Sequence, residues 1–491
     1  MFALKNPSAL FIDGAWERTA ETEEVVNPAT EMVIAHAPVG TRSDADAAIA
    51  AARRAFDDGP WPKLHARERQ AKLQAFLDAI RARRDEICKL IIAETGSTVL
   101  LAHALQFGMP LKHAQFVIDH TDRDMTSAVP PEISPSPDGR SVVGSAVVVR
   151  EPLGVVAAIT PYNVPFFLNV AKAVPAMAVG CTVILKPSPY TPNLALILGE
   201  IAQEAGLPNG VLNIVTGGKD VGEALTTDPR VDMVSFTGSD TVGEAIQRQT
   251  AGTLKRVVLE LGGKSALIVR ADADLDLAAR QGVRGFTAHC GQGCQLLTRH
   301  LVHNSVRQAY VERVTAMARE LTIGDPSDPA VQMGPLIREV ARSRTEEYVE
   351  IARNEGSRLV LGGRRPEHLS KGFFHEPTLF DDVSNKSRLA QEEVFGPIGA
   401  VIGFDDDDEA VGLANDSRFG LSGSIHSADV GRAYQLAQRI RTGGVSINEG
   451  PGTMLSAPPF GGIRRSGYGR EFGIEGMNEF TYTKTISFRA A

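Results

Sequence analysis

Between about residues 154 and 236, short apolar runs recur with helical stretches between them: Val155 to Ile159, Thr182 to Leu185, Val211 to Val215 and Val231 to Phe236. Strands that are apolar without alternation are buried on both faces, so this pattern predicts βαβ units and a parallel sheet of the nucleotide-binding kind. Upstream, Leu10-Phe11-Ile12-Asp13-Gly14 reads as a strand and turn, and a helix capped at Ser43 runs to Phe56. Two more helical patterns cover about 66 to 95. From about 122 to 142 the chain is rich in Pro, Ser and Asp. It then alternates through Ser145 to Arg150, which predicts a long exposed hairpin of the sort that pairs between subunits. A second mixed α/β region spans about 260 to 470, and Phe480 to Phe488 alternate as an edge strand does.

Composition narrows the function classes. With 43% hydrophobic residues among 491, the chain has ample core and is not disordered. A net charge of −8 repels phosphate backbones and anionic membranes, so neither nucleic acid nor a membrane is an expected partner. Met1 to Phe11 shows no basic region followed by an apolar stretch, and no apolar run approaches the roughly 18 residues of a membrane span. A cytoplasmic location is expected. Cys88, Cys181, Cys290 and Cys294 are too sparse for a disulfide framework, so each is core filler or a nucleophile.

Several apparent motifs fail on spacing. Gly262-Gly263-Lys264-Ser265 suggests a phosphate loop, but the pattern needs glycine where Val258 stands, and no G-x-G-x-x-G opens a helix after the first strand of the parallel run. Phe236-Thr237-Gly238-Ser239 ends a strand and opens a helix, where free N–H groups suit a pyrophosphate or simply receive a cap. His289, Cys290, Cys294, His300 and His303 are too closely spaced for a zinc finger, so no metal is expected. Asp405 to Glu409 is a dipole-friendly helix start rather than a calcium loop. Cys294, in the polar turn Gly291-Gln292-Gly293-Cys294, has an accessible thiol on this reading, whereas Cys88 and Cys181 lie in apolar runs.

Seven motifs then occur in order: Thr160-Pro161-Tyr162-Asn163-Val164-Pro165, Lys186-Pro187-Ser188-Pro189, Phe236-Thr237-Gly238-Ser239, Glu260-Leu261-Gly262-Gly263-Lys264-Ser265, Gly291-Gln292-Gly293-Cys294, Glu392-Glu393-Val394-Phe395-Gly396-Pro397 and Pro459-Phe460-Gly461-Gly462. Together they resemble the NAD(P)-dependent aldehyde dehydrogenase superfamily over essentially the whole chain. The resemblance implies an α/β fold: a Rossmann-type parallel-sheet cofactor domain (1–121 and 150–259), a second α/β catalytic domain (260–470) and a small β oligomerisation arm (122–149 and 471–491). It implies Cys294 as nucleophile, Glu260 as general base and Asn163 as oxyanion donor, with Lys172 and Glu471 relaying the base's proton. Thr160, Pro161, Lys186, Ser188, Pro189, Phe236, Thr237, Gly238, Ser239, Leu261, Gly262, Glu393 and Phe395 would bind the cofactor. Lys186 would reach the adenosine ribose, Ser239 the pyrophosphate, and Glu393 with Phe395 the nicotinamide riboside. Tyr162, Val164, Leu168, Gly293, Gln295 and Phe460, together with Met454 and Leu455, would line the aldehyde tunnel.

The implied reaction oxidises an aldehyde to the acid through a cysteine thiohemiacetal and thioester. The alternatives are a coenzyme A-acylating relative, against which Glu260 argues, and a non-catalytic binding protein on the same fold. Family members commonly carry Trp at the position of Tyr162, and many NAD-preferring ones carry Glu at that of Pro189. Pro189 removes both the attraction for the NAD ribose and the repulsion of a 2′-phosphate, and Lys186 is the one evident cation for that phosphate, so NAD is expected as the preferred cofactor, with NADP also used. The mostly apolar tunnel favours medium-chain aliphatic or aromatic aldehydes, and the arm implies a homodimer or homotetramer.

Overall fold

In the computed structural model, which describes residues 4–450 and 452–490, two large α/β sheets share the chain with a small antiparallel arm. Met1 to Ala3 and Ala491, which the expected domain bounds include, lie outside the described residues. The first sheet is built on five parallel strands in the order Arg256–Glu260, Met233–Thr237, Val155–Ile159, Thr182–Lys186 and Leu212–Ile214. Strands Gly467–Tyr468, Ala9–Ile12 and Ala15–Arg18 flank it antiparallel. The chain winds outward from Val155–Ile159 in one direction and then returns beside it at Met233–Thr237. That reversal is a topological switch point, and it opens a crevice at the carboxyl ends of these two strands. Every residue of Val155–Ile159 is buried, and alternate ones serve opposite faces: Val156 and Ala158 join one core cluster and Val155, Ala157 and Ile159 another, so both faces are covered as the apolar pattern requires.

The second sheet has the order Arg358–Leu361, Thr378–Asp381, Ile398–Phe404, Arg299–His303, Ala266–Val269, Ser422–His426 and Gly444–Ile447, and only its first pair is antiparallel. The arm pairs Thr126–Pro135 and Thr481–Ala490 on either side of Ser141–Pro152. Helix Gly473–Glu479, just before the last strand, packs on helices Met109–Asp119 and Pro165–Val179, and the strand that pairs in the arm begins at Thr481.

The first helix differs from its expected start. It spans Arg42–Asp57 and is capped by Thr41, not Ser43, because the Thr41 hydroxyl accepts from the Asp44 N–H while the Asp44 carboxylate accepts from the Thr41 N–H. A wide π-turn, Ala102–Gly108, precedes helix Met109–Asp119. Pro110 lacks an N–H and its ring crowds the carbonyl four residues back, which accounts for a widened turn there.

Candidate active site

The crevice at the switch point continues into one cavity of about 620 Å³ between the two sheets. Of the residues expected at the site, Pro161, Tyr162, Asn163, Val164, Leu168, Thr237, Gly238, Ser239, Glu260, Leu261, Gly262, Gly293, Cys294, Gln295, Glu393, Phe395, Phe460 and Glu471 line it. Thr160, Lys172, Lys186, Ser188, Pro189 and Phe236 do not line it. Thr160 instead donates to Asn169 Oδ1 at 2.7 Å, and Phe236 packs beneath Gly238, where a Cβ would meet its ring at 2.4 Å. Met454 and Leu455 are corrected outright: they sit on the surface, 61% and 46% exposed, and do not line the cavity.

Cys294 follows a tight turn in which His289, Cys290 and Gly291 all have positive φ. The turn is tied to the neighbouring elements by Gln292, whose amide donates to His289 O at 3.0 Å and accepts from Ile337 N–H at 2.9 Å. Asn163 Nδ2 donates to Gln292 O at 2.9 Å, which brings the amide group beside the cysteine loop. Behind it, Gln106 Nε2 reaches Asn163 O at 3.4 Å and also donates to Ser97 Oγ, which lies 3.2 Å from His289 Nδ1. Gly263 has no room for a Cβ because Cys294 O would lie 2.6 Å from it.

The thiol is less open than the polar turn suggested. Cys294 is only partly exposed, and burial, reinforced by the charges of Glu393, Glu260 and Glu471, pushes its thiol up to about 12. Cys88, Cys181 and Cys290 are buried, the last among Met333 and Leu336 as core filler.

Glu260 ends strand Arg256–Glu260 and is almost fully buried, with neither carboxylate oxygen hydrogen-bonded. Burial first, then the negative charge of Glu471, hold its carboxyl well above the usual carboxylate range, against the pull of Lys172 and Arg470. A Cβ on Gly461 would strike Glu260 Oε1 at 2.6 Å, so glycine there leaves the carboxylate its space. Lys172, fully buried, pairs with Glu471 and donates to Ser235 Oγ at 3.0 Å. Glu393 Oε1 accepts from Gly263 N–H at 3.0 Å, and burial raises its carboxyl to about 7.

On the cofactor side, Ser239 caps helix Asp240–Thr250 by accepting from Val242 N–H, leaving the first N–H groups of the helix facing the crevice. Lys186, lowered by burial to about 8, lies against Gly222. This cradle at a switch point fits a dinucleotide. No group of three or more metal-capable side chains occurs among the described residues, and His300 is instead bonded to Tyr310 Oη at 3.0 Å.

Sequence reasoning missed the apolar lining residues Leu101, Leu105, Met109, Phe167 and Phe472, and the arginines Arg338, Arg344 and Arg418. Phe472 is brought in by the antiparallel bridge Phe460–Glu471, and its ring packs on Phe167 (5.6 Å) and Phe460 (5.8 Å).

A family profile described as "Aldehyde dehydrogenase family" matches residues 16–486. The chain belongs to that family. Betaine aldehyde dehydrogenase of Bacillus subtilis (strain 168) is 38% identical over 483 residues, covering 97% of this chain and 96% of that protein. Among solved structures, an aldehyde dehydrogenase of Mycobacterium tuberculosis complexed with NAD+ superposes with a TM-score of 0.91 at 42% identity, covering 98% and 97% of the two chains. A variant aldehyde dehydrogenase of Pseudomonas syringae, complexed with NAD+ and octanal, gives 0.93 at 35% identity, with 99% and 98% covered. This aldehyde dehydrogenase is thus an oxidoreductase of the non-acylating type, oxidising an aldehyde with a nicotinamide dinucleotide as cofactor.

Proposed function

We propose that this aldehyde dehydrogenase acts on apolar aldehydes, medium-chain aliphatic or aromatic, with Cys294 as nucleophile, Glu260 as general base and Asn163 as oxyanion donor. The observation that carries this reading is the single cavity: it gathers those three residues between a capped helix start on one side and an apolar wall of Leu101, Leu105, Met109, Phe167, Leu168, Leu296, Phe460 and Phe472 on the other. That wall offers no cation to a semialdehyde carboxylate.

Cys294 passes its proton to solvent and takes one back when the thiol re-forms at the end of the cycle; as the thiolate it adds to the aldehyde carbon. The resulting O⁻ is met by the Asn163 amide and the Cys294 N–H. The dinucleotide, when bound, supplies the hydride acceptor that turns this adduct into a thioester. Water then attacks the thioester carbon, Glu260 takes its proton, and the acid leaves as the thiol re-forms. A carboxylate whose proton affinity is raised by burial is matched to that step, because it binds a proton strongly enough to deprotonate water usefully near neutral pH. The Lys172–Glu471 pair beside it can pass the proton outward. Glu393 and Phe395 hold the nicotinamide riboside, Lys186, Ser188 and Pro189 border the adenosine ribose, and Thr237 to Ser239 with Leu261 and Gly262 cradle the phosphates. With no carboxylate at Pro189 to repel a 2′-phosphate, NADP is also used, but Lys186 alone among the described residues offers that phosphate a cation, so NAD is preferred.

The exposed apolar residues of the arm, Val129, Ile133, Val143, Ile486 and Phe488, support a homodimer or homotetramer in which a second copy covers them. The four cysteines, all free thiols, support a cytoplasmic location, and no helix among the described residues is long and apolar enough to cross a membrane. The test is kcat/KM across a panel of apolar, cationic and carboxylate-bearing aldehydes with both cofactors. A preference for the charged aldehydes overturns the substrate class.

A further inference from the structure

Three arginines line the cavity, and two of them already have polar partners, Arg344 through hydrogen bonds and Arg418 through an ion pair. Arg344 donates to Glu393 O at 2.8 Å and to Val394 O at 3.2 Å, and Arg418 lies 3.7 Å from the Asp240 carboxylate. Arg338 differs. Among the described residues its side chain has no hydrogen bond and no ion pair, and its guanidinium lies over the Tyr190 ring, 4.0 Å from the centroid. Tyr190 stands edge-on to Tyr162 at 6.0 Å, and Tyr162 edge-on to Phe395 at 6.1 Å, so this aromatic chain links the two sheets' bodies across the cleft. Arg338 comes from the catalytic side, immediately before helix Glu339–Asn354, while Tyr190 follows Pro189 on the cofactor side.

The arginine is held in place from behind. Its neighbour Ile337 donates its N–H to Gln292, and the Arg338 carbonyl accepts from Ala341 and Arg342 in the first helical turn. A half-buried guanidinium that sits over a ring and has no hydrogen-bond partner keeps its donors free, and that planar fork matches a phosphate. The same cavity presents Thr237 to Thr241 and the start of helix Asp240–Thr250. Of the carboxylates in the cavity near that helix start, Asp240 is paired with Arg465 at 2.7 Å, Glu392 with Arg388 at 3.0 Å, and Glu393 accepts from Gly263 N–H at 3.0 Å.

We propose that Arg338 binds the cofactor's diphosphate from the catalytic side, opposite the helix start at Ser239, for NAD and NADP alike. This rests on the assignment of the cleft to the dinucleotide. It adds a contact that crosses from one sheet's body to the other, so that the cofactor's phosphates, rather than its adenosine, join the two.

The test measures binding, not turnover, by isothermal titration of the full-length protein with adenosine, ADP, ADP-ribose, NAD and NADP at two salt concentrations. Arg338→Ala and the near-isosteric Arg338→Gln are compared with Arg338→Lys, and thermal melting checks that each is folded. The expected result for Ala and Gln is a Kd raised about tenfold for ADP, ADP-ribose, NAD and NADP alike. Adenosine binding stays unchanged, the salt dependence of NAD binding flattens, and Lys restores part of the loss. An equal loss on adenosine would make Arg338 a packing residue for Tyr190, a loss confined to NADP would make it a reader of the 2′-phosphate, and no change in any ligand would leave it without this role. Each of these overturns the proposal. If the unmutated protein binds neither ADP nor NAD, the assignment of the cleft itself fails, and the role of Arg338 with it.

Discussion

The two ends of the cavity are built on opposite principles. The proposed aldehyde end is a wall of Leu, Met and Phe side chains with ring-on-ring packing, and the proposed cofactor end is a helix start, the loop bearing Glu393 and three arginines. Apolar walls discriminate weakly, since one methylene is worth about 1–3 kcal/mol, whereas unpaired polar groups reject the wrong ligand strongly. The enzyme is therefore expected to be tolerant of its aldehyde and strict about its cofactor's polar skeleton. Cys294 and Glu260 stand where the two ends meet.

Removing that junction gives the largest effect. Cys294→Ala lowers kcat on the order of 10⁴-fold or more while leaving the NAD Kd within about twofold, measured by steady-state kinetics and titration. Cys88→Ala, Cys181→Ser and Cys290→Ala keep most activity, and iodoacetamide labels Cys294 first, because it is the cysteine whose side chain is reached from the cavity. Next, Glu260→Gln lowers the steady-state rate by about 10²–10⁴-fold but leaves a burst of about one NADH per site, seen by stopped flow. If burst and steady state fall together, Glu260 acts on the thiol instead. The raised carboxyl of Glu260 also sets a direction with pH. Its basic form grows as pH rises above the ordinary carboxylate range, so the deacylation rate climbs with pH through that raised window, and Glu260→Gln loses the climb.

Smaller effects separate the two ends. Phe460→Ala costs about tenfold in kcat/KM for an eight-carbon aldehyde and little for acetaldehyde, with the NAD Kd unchanged. An equal loss on both aldehydes would show that the ring holds the catalytic loop and not the substrate. Smallest is Pro189→Glu, which raises the NAD over NADP ratio of kcat/KM by a few-fold through repulsion of the 2′-phosphate. A ratio that does not move places the adenosine ribose elsewhere.

What the sequence made legible follows the same division. Cys294, Glu260 and Asn163 stand inside ordered motifs, and the parallel sheet shows as unbroken apolar runs, because both depend on residues close together in the chain. Leu105 and Met109 stayed hidden because a π-turn breaks the 3.6-residue period by which helix faces are read. Phe472 reaches the cavity through a bridge and a positive φ, and Arg338 is an ordinary arginine before an ordinary helix until Tyr190 meets it. Met454 and Leu455 failed in the other direction, apolar side chains near a motif that the fold leaves in solvent. The raised thiol of Cys294 was illegible too, since it comes from burial in the folded loop and then from three carboxylates brought near from distant parts of the chain.

The arm also dictates an order of events during synthesis. Lys484 meets Glu151 across 333 residues of chain, so strand Thr481–Ala490 leaves the ribosome long after the hairpin it completes. At about 5–20 residues per second, the hairpin Thr126–Pro152 waits roughly 20–70 s with one long edge unpaired. Through that interval, nascent chains on one messenger present each other with matching open edges. Swapped or aggregated arms are the expected failure when translation stalls late, and co-translational pairing of two chains is the route that avoids it.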